Sequence, residues 1–64
     1  SYTTLDEYLN VRATPSTSAL SVGLISQGGE VVAVKGATKT AEGRKWQEIV
    51  YNNRLCWVCA DYIK

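Results

Sequence analysis

Residues 8–12 read Tyr8-Leu9-Asn10-Val11-Arg12, a run in which apolar and polar side chains alternate. This alternation is typical of a β-strand with one buried face, and it places Leu9 and Val11 on that face. Residues 13–18 are rich in turn formers and contain the single proline of the chain, Pro15. Because proline cannot donate to a strand ladder, the strand should end before it.

Four more strands are predicted, over residues 22–25, 31–34, 46–51 and 55–58, where β-branched and aromatic residues form short runs. Two glycines predict a tight turn at 27–30, and Asn52-Asn53 predicts a hairpin turn. Residues 36–43 are expected to form an exposed loop. Residues 60–63 fit either a 3₁₀ turn or a short closing strand, and residues 1–7 fit either a linker end or an extra edge strand. The pattern predicts an all-β fold, a small barrel or sandwich, and a barrel would remove exposed strand edges.

The composition indicates one globular domain spanning 1–64, since 45% of its 64 residues are apolar and 20% are charged. No leader sequence opens the chain, so we expect it to be a fragment of a larger protein. Its seven basic residues are scattered, and only Arg44 and Lys45 are adjacent. This distribution argues against nucleic acid as a partner, and the lack of a basic amphipathic helix argues against a membrane surface.

Catalysis is not expected, because the sequence has no histidine. Histidine is the commonest general base, the usual partner of a Ser or Cys nucleophile and the commonest metal ligand. The carboxylates are scattered over predicted turns and strand ends, whereas a glycosidase needs two that converge on one bond. We therefore predict no catalytic residues, no metal and no cofactor.

The two cysteines, Cys56 and Cys59, form a C-x-x-C motif on a predicted strand. Zinc requires four ligands, and a redox motif requires a helix N-terminus in a βαβ context. In an extended strand, positions i and i+3 lie about 10 Å apart, which is too far for a disulfide unless the chain bends at Val58–Cys59. Two free thiols are therefore favoured over a disulfide, with Cys56 on the buried face beside Val58.

An ordered set of residues between Leu9 and Ile63 resembles the bacterial Src-homology-3-like family. The opening part is Leu9-Asn10-Val11-Arg12 followed by 15–18. The middle is Val22-Gly23, then Gly28 or Gly29, then the strand 31–34. The closing part consists of Trp46, Ile49, Tyr51, Trp57, Val58 and Tyr62. The resemblance implies a barrel of five to seven short antiparallel strands with its core at 9–63. Two departures are Cys56, where the family commonly has a glycine, and the long segment 36–43.

The resemblance also implies a role. Such domains commonly bind peptidoglycan or its cross-bridge peptides and target an attached hydrolase or endolysin, which implies an extracellular or wall-associated location. The alternative is a structural or protein-docking domain with no wall ligand of its own. We expect the isolated domain to be monomeric.

The candidate ligand-binding residues are aromatic or hydrogen-bonding side chains outside the predicted core: Tyr8, Asn10, Arg12, Tyr51, Trp57 and Tyr62. Aromatic rings with a polar edge suit flexible peptides, although the same rings could pack on one another. Arg12 could grip a peptide carboxylate or hold the loop around Pro15 in place. Trp46 is expected in the core, and Trp57 on the face opposite Val58.

Overall fold

The computed structural model describes residues 2–5 and 7–64. Its strands are, in chain order, β1 Tyr2–Thr3, β2 Tyr8–Arg12, β3 Ser21–Ser26, β4 Glu30–Ala41, β5 Arg44–Tyr51 and β6 Arg54–Cys59. A 3₁₀ turn, Ala60–Tyr62, follows β6. The described residues contain no α-helix, and thus no helix long and apolar enough to cross a membrane. The all-β prediction is confirmed.

The six strands form one antiparallel sheet in the order β1-β4-β5-β6-β2-β3. One buried cluster joins side chains from strands distant in this order, including Val11 of β2, Val31 of β4 and Val58 of β6. Val22 and Ile25 of the edge strand β3 pack against the same cluster. A flat sheet could not bring these side chains together, so the sheet curls around its core. The molecule accordingly measures 25 × 23 × 22 Å, as expected for a small barrel.

Alternation along β2 is as predicted, since Leu9 and Val11 are buried while Tyr8, Asn10 and Arg12 are not. The strand ends before Pro15. The predicted turns also form: Gly28 has a φ of 78°, and Asn52 and Asn53 have φ values of 50° and 62°. Two successive positive φ values define the tight turn whose twist matches the flanking strands, and this turn fixes the register of the β5–β6 hairpin.

The expectation of a loop over 36–43 is wrong. Strand β4 continues to Ala41, and a two-residue turn at Glu42-Gly43, with φ values of 57° and 69°, leads directly into β5. The outer half of β4, residues 36–41, consists of small and polar residues, and most of its side chains are exposed. A polar strand looks like a loop in the sequence, and glutamate is an unusual residue for the first position of this turn.

An irregularity in β4 between Ala33 and Thr38 divides the strand into two arms. The register shifts there, and Gly36 has a φ of 76°. Gln47, which is buried, donates its side-chain amide to the carbonyl oxygens of Val34 at 2.9 Å and of Ala37 at 3.3 Å. Buried carbonyl groups need such partners, so Gln47 supplies bonds that the sheet cannot provide at this point.

The two ends of the domain lie side by side. Of the alternatives for residues 1–7, of which 1 and 6 lie outside the described residues, an edge strand is present at Tyr2–Thr3: Tyr2 pairs with Val31 and Thr3 with Glu30. Thr3 also exchanges two backbone hydrogen bonds with Lys64, of 2.8 and 2.9 Å, and Thr4 bridges Ile63. Of the alternatives for 60–63, the 3₁₀ turn is present.

Both cysteines are free and buried. Cys56 shares the core with Val58, as predicted. Cys59 is buried as well, so strict alternation ends at Val58, immediately before the 3₁₀ turn. The described residues contain no group of three His, Cys, Asp or Glu side chains that could hold a metal ion.

Candidate functional site

A cleft of about 200 Å³ opens where β2, the start of β5, the end of β6 and the 3₁₀ turn meet. Its floor consists of three buried side chains, Leu9, Trp46 and Cys59. Trp46 and Cys59 are direct partners across β5 and β6. The indole N–H of Trp46 donates to the carbonyl of Ala41 at 3.1 Å, so the ring is fixed in place and offers the cleft mainly apolar surface.

Two tyrosines form the aromatic part of the cleft. Tyr8, on the outward face of β2, is 58% exposed, and Tyr62, on the 3₁₀ turn, is 36% exposed. Both rings thus keep much of their surface open to solvent beside an apolar floor. Exposed tyrosines of this kind provide large contact area at low conformational cost when a ligand covers them.

The polar part of the cleft contains Asn10, Thr17 and two arginines, Arg12 and Arg44. Arg12 donates through Nη1 to the carbonyl of Ala19 at 3.0 Å, which is the loop-holding role considered from the sequence. Asn10 accepts a hydrogen bond of 2.9 Å from the hydroxyl of Ser21. Among the lining residues that the structure describes, none is a carboxylate.

Arg44 stands at the first position of β5, directly after the Glu42-Gly43 turn. Its Nη1 donates to the hydroxyl of Tyr62 over a long distance of 3.5 Å. The pKa of Arg44 is raised above its ordinary value by hydrogen bonding to Tyr62 and, to a smaller degree, to Cys59. The cleft therefore carries two permanent positive charges next to exposed aromatic rings.

One rim of the cleft is fastened by Glu42. Its carboxylate accepts hydrogen bonds from the backbone N–H of Thr17 at 2.9 Å, from the Thr17 hydroxyl at 3.2 Å and from the Ser16 hydroxyl at 2.7 Å. These bonds, led by the backbone N–H of Thr17, lower the pKa of Glu42, and the charge of Arg44 adds a small effect. Glu42 thus ties the 13–20 loop to the β4–β5 turn and keeps Thr17 at the cleft.

A model of the bacterial SH3 domain matches residues 7–64, nearly the whole chain. The chain belongs to the bacterial SH3 domain family. Domains of this family often serve as binding modules and are generally non-catalytic. No curated protein and no solved structure matches this SH3 domain.

The fold of this SH3 domain brings together four of the six candidate residues that the sequence suggests. Tyr8, Asn10, Arg12 and Tyr62 all line the cleft, although 50 residues separate Arg12 from Tyr62 along the chain. Their convergence follows from the curled sheet, which places β2 beside the end of β6.

The other two candidates, Tyr51 and Trp57, do not line the cleft. Tyr51 stands at the opposite end of β5 from Trp46, about 17 Å along the strand, and it packs half-buried against the core. Trp57 is half-buried between the buried residues Cys56 and Val58, so it faces away from the core as alternation predicted. Tyr51 therefore packs on the core, and Trp57 lies outside the cleft that the other four candidates line.

Sequence reasoning did not identify Arg44 and Thr17 as site residues. In the sequence Arg44 stands out only as half of a basic pair, because an expected loop over 36–43 places it outside any strand. The Glu42-Gly43 pair was the available signal. A two-residue turn at that point makes Arg44 the first residue of a strand and pairs it with Ala41. Thr17 carried no signal of its own within a loop rich in hydroxyl side chains.

Proposed function

We propose that this SH3 domain is a non-catalytic module that binds peptides of the bacterial cell wall, either peptidoglycan stem or cross-bridge peptides, and thereby targets an attached hydrolase. The observation that carries the proposal is the cleft itself, in which Tyr8 and Tyr62 stand exposed over an apolar floor with polar groups beside them. The membership of a family that often serves in binding supports it.

The chemistry of the cleft suits a flexible peptide. Tyrosine rings contact aliphatic backbone and side-chain atoms while their hydroxyls bind water or peptide groups. Asn10 offers both a donor and an acceptor amide function, and Arg12 and Arg44 offer donors only. A small site with an apolar base and a few polar groups is the usual form of a peptide or small-ligand site.

The same side chains support a binding role over a catalytic one. The arginines stay protonated and cannot act as general bases at neutral pH. Cys59 is a buried thiol, and the sequence contains no histidine to activate it. An extracellular or wall-associated location follows from the proposed role, and the isolated domain is proposed to be monomeric.

Sedimentation with purified peptidoglycan tests the proposal. Wild-type chain should be depleted from solution, and Tyr8→Ala should weaken binding by about tenfold, as the loss of an aromatic contact does. Tyr2→Ala is the matched control, because Tyr2 is also an exposed tyrosine, but on β1 and outside the cleft. Equal losses for both variants would contradict a role for the cleft.

The alternative function, docking to another protein without any wall ligand, gives a different result. Wild-type chain would then stay in solution with every wall preparation. One feature of the outer sheet surface favours this alternative: Val32, Val50 and Leu55 are register partners across β4, β5 and β6, and all three are exposed. Such neighbours form a continuous apolar row on one face.

A further inference from the structure

Two guanidinium groups line the cleft, and none of its described lining residues is a carboxylate. Glu42 stands at the rim, where its charge interacts only weakly with Arg44. Among the described residues neither arginine forms an ion pair. Arg12 donates to the carbonyl of Ala19, and Arg44 donates to the hydroxyl of Tyr62 and interacts with the thiol of Cys59. Glu42, the nearest carboxylate to Arg44 along the chain, accepts its hydrogen bonds from Ser16 and Thr17 instead. The positive charge of the cleft is therefore available to a ligand.

The two arginines differ in how much of each is free. Arg12 is half-buried, and its 3.0 Å bond to Ala19 fixes its direction. Arg44 is exposed, and its long contact to the hydroxyl of Tyr62, at 3.5 Å, together with a weaker interaction with Cys59, leaves most of its N–H donors free. A guanidinium has five N–H donors in a planar fork, so Arg44 can present two parallel donors while it keeps the contact to Tyr62.

We propose that the cleft binds a peptide carboxylate, with Arg44 as the principal donor, Arg12 as the second positive charge and Tyr8 and Tyr62 against the adjoining peptide. This inference rests on the proposed function and names the chemical class of its ligand. A planar carboxylate matches the guanidinium fork with two parallel hydrogen bonds. The two tyrosines and the apolar floor then hold the residue that carries the carboxylate.

A polyanion does not fit the same surface. The net charge of the chain is +1, and its other basic residues are scattered, so no basic track extends from the cleft to follow a phosphate backbone. The cleft has room for a small part of a ligand, about 200 Å³. One carboxylate with its neighbouring atoms matches this size and charge.

The test compares peptidoglycan before and after its carboxylates are converted to neutral N-methyl amides with a carbodiimide and methylamine. Wild-type chain should bind the amidated wall about tenfold or more weakly, the range of a lost charge-assisted hydrogen bond. Arg44→Gln should bind untreated wall about tenfold more weakly, and amidation should then change its binding little. Two changes that remove the same interaction do not add.

Arg54→Gln is the matched control, because it removes the same charge at the far end of the β5–β6 hairpin. It should bind untreated wall nearly as well as wild type and should lose as much on amidation as wild type does. If amidation weakens Arg44→Gln as strongly as Arg54→Gln, the wall is held by general charge and the inference is overturned. It is also overturned if amidation leaves wild-type binding unchanged while the Tyr8 variant still loses affinity, an outcome that leaves the proposed function standing.

Three soluble probes identify the source of the carboxylate and decide the inference if no wall is bound. They are N-acetyl-triglycine as the free acid, the same peptide as its C-terminal amide, and N-acetyl-Gly-Glu-Gly-amide, each titrated into the chain by NMR. Shifts at Arg44 and Tyr62 with the free acid alone indicate a terminal carboxylate, and shifts with the glutamate peptide indicate a side-chain carboxylate. Equal shifts with the amide, or none with any probe at millimolar concentration, overturn the inference, while failure of wall binding by itself overturns only the proposed function.

Discussion

Gly23→Ala is the substitution whose consequence the structure defines most sharply. Gly23 lies on β3, opposite Val11, and the end of the Tyr51 ring covers it. A Cβ added at Gly23 would come within 2.6 Å of Cζ and 2.7 Å of Cε2 of Tyr51. Carbon atoms in contact normally lie about 3.5–4.0 Å apart, so the ring would have to move by about 1 Å.

The cost follows from the surroundings of Tyr51. The ring is half-buried and packs against the core, so its movement disturbs other contacts. Overpacking of this kind costs about 1–3 kcal/mol. The φ of Gly23 lies outside the positive region, so alanine brings no backbone strain and the cost is steric. A loss of about 2 kcal/mol lowers the melting temperature of a domain this size by about 8–16 °C.

Thermal and urea melts of four chains measure this effect: wild type, Gly23→Ala, Tyr51→Leu and the double variant. The shorter leucine leaves space for the new methyl group, so Gly23→Ala should be nearly neutral in the Tyr51→Leu background. The coupling between the sites should then be about 1–3 kcal/mol. Equal destabilisation by Gly23→Ala in both backgrounds would refute the reasoning. Wall binding by Tyr51→Leu adds a second measurement, since a tenfold loss in a folded variant would give Tyr51 the ligand role that the sequence suggests.

Trp46→Ala should cost about 3–5 kcal/mol in a urea melt, because the indole is 2% exposed; the half-buried Trp57→Ala should cost clearly less, and equal costs would contradict the face assignment. Since Trp57 lies outside the cleft, its variant should keep wall binding within about twofold, and a tenfold loss would restore its predicted ligand role. Because the folded-state pKa of Glu42 is lowered from 4.5, its contribution is present above about pH 4.5 and is lost as the pH falls through the folded-state pKa. The melting temperatures of wild type and Glu42→Gln should therefore converge as the pH falls below about 4.5, and a constant difference would exclude this linkage. Cys56 and Cys59 should react with a thiol reagent slowly in the native state and completely in urea without reductant, and a requirement for reductant would indicate a disulfide.

Strand identity was predictable wherever a strand has one buried face. Leu9 and Val11 alternate with polar neighbours in β2, and the Asn52-Asn53 turn fixes the last hairpin. The outer arm of β4 was not predictable, because its side chains are small or polar and mostly exposed, and such residues have the composition of a loop. What makes this arm a strand is its pairing with β5, which the composition of the arm itself does not show.

The candidate site was predictable only in part, for a related reason. Tyr8, Asn10 and Arg12 could be assigned to the outward face of β2 from periodicity alone. Their meeting with Tyr62 follows from the closure of the sheet, and Arg44 joins them because the turn before it is two residues long. Periodicity could not show that the ring of Tyr51 would pack over Gly23 of β3 instead of lining the cleft.

The adjacent ends of the domain have a mechanical consequence. Thr3 and Lys64 are bonded to each other as neighbours in an antiparallel pair, followed by Thr4 and Ile63. A force that separates the two ends therefore loads these pairs one after another, as in opening a zipper, instead of shearing them all at once. Tyr62 lies only two residues from Lys64, so its side of the cleft would be among the first parts to yield. A ligand held there would be released under tension before the β4–β5–β6 hairpins begin to open.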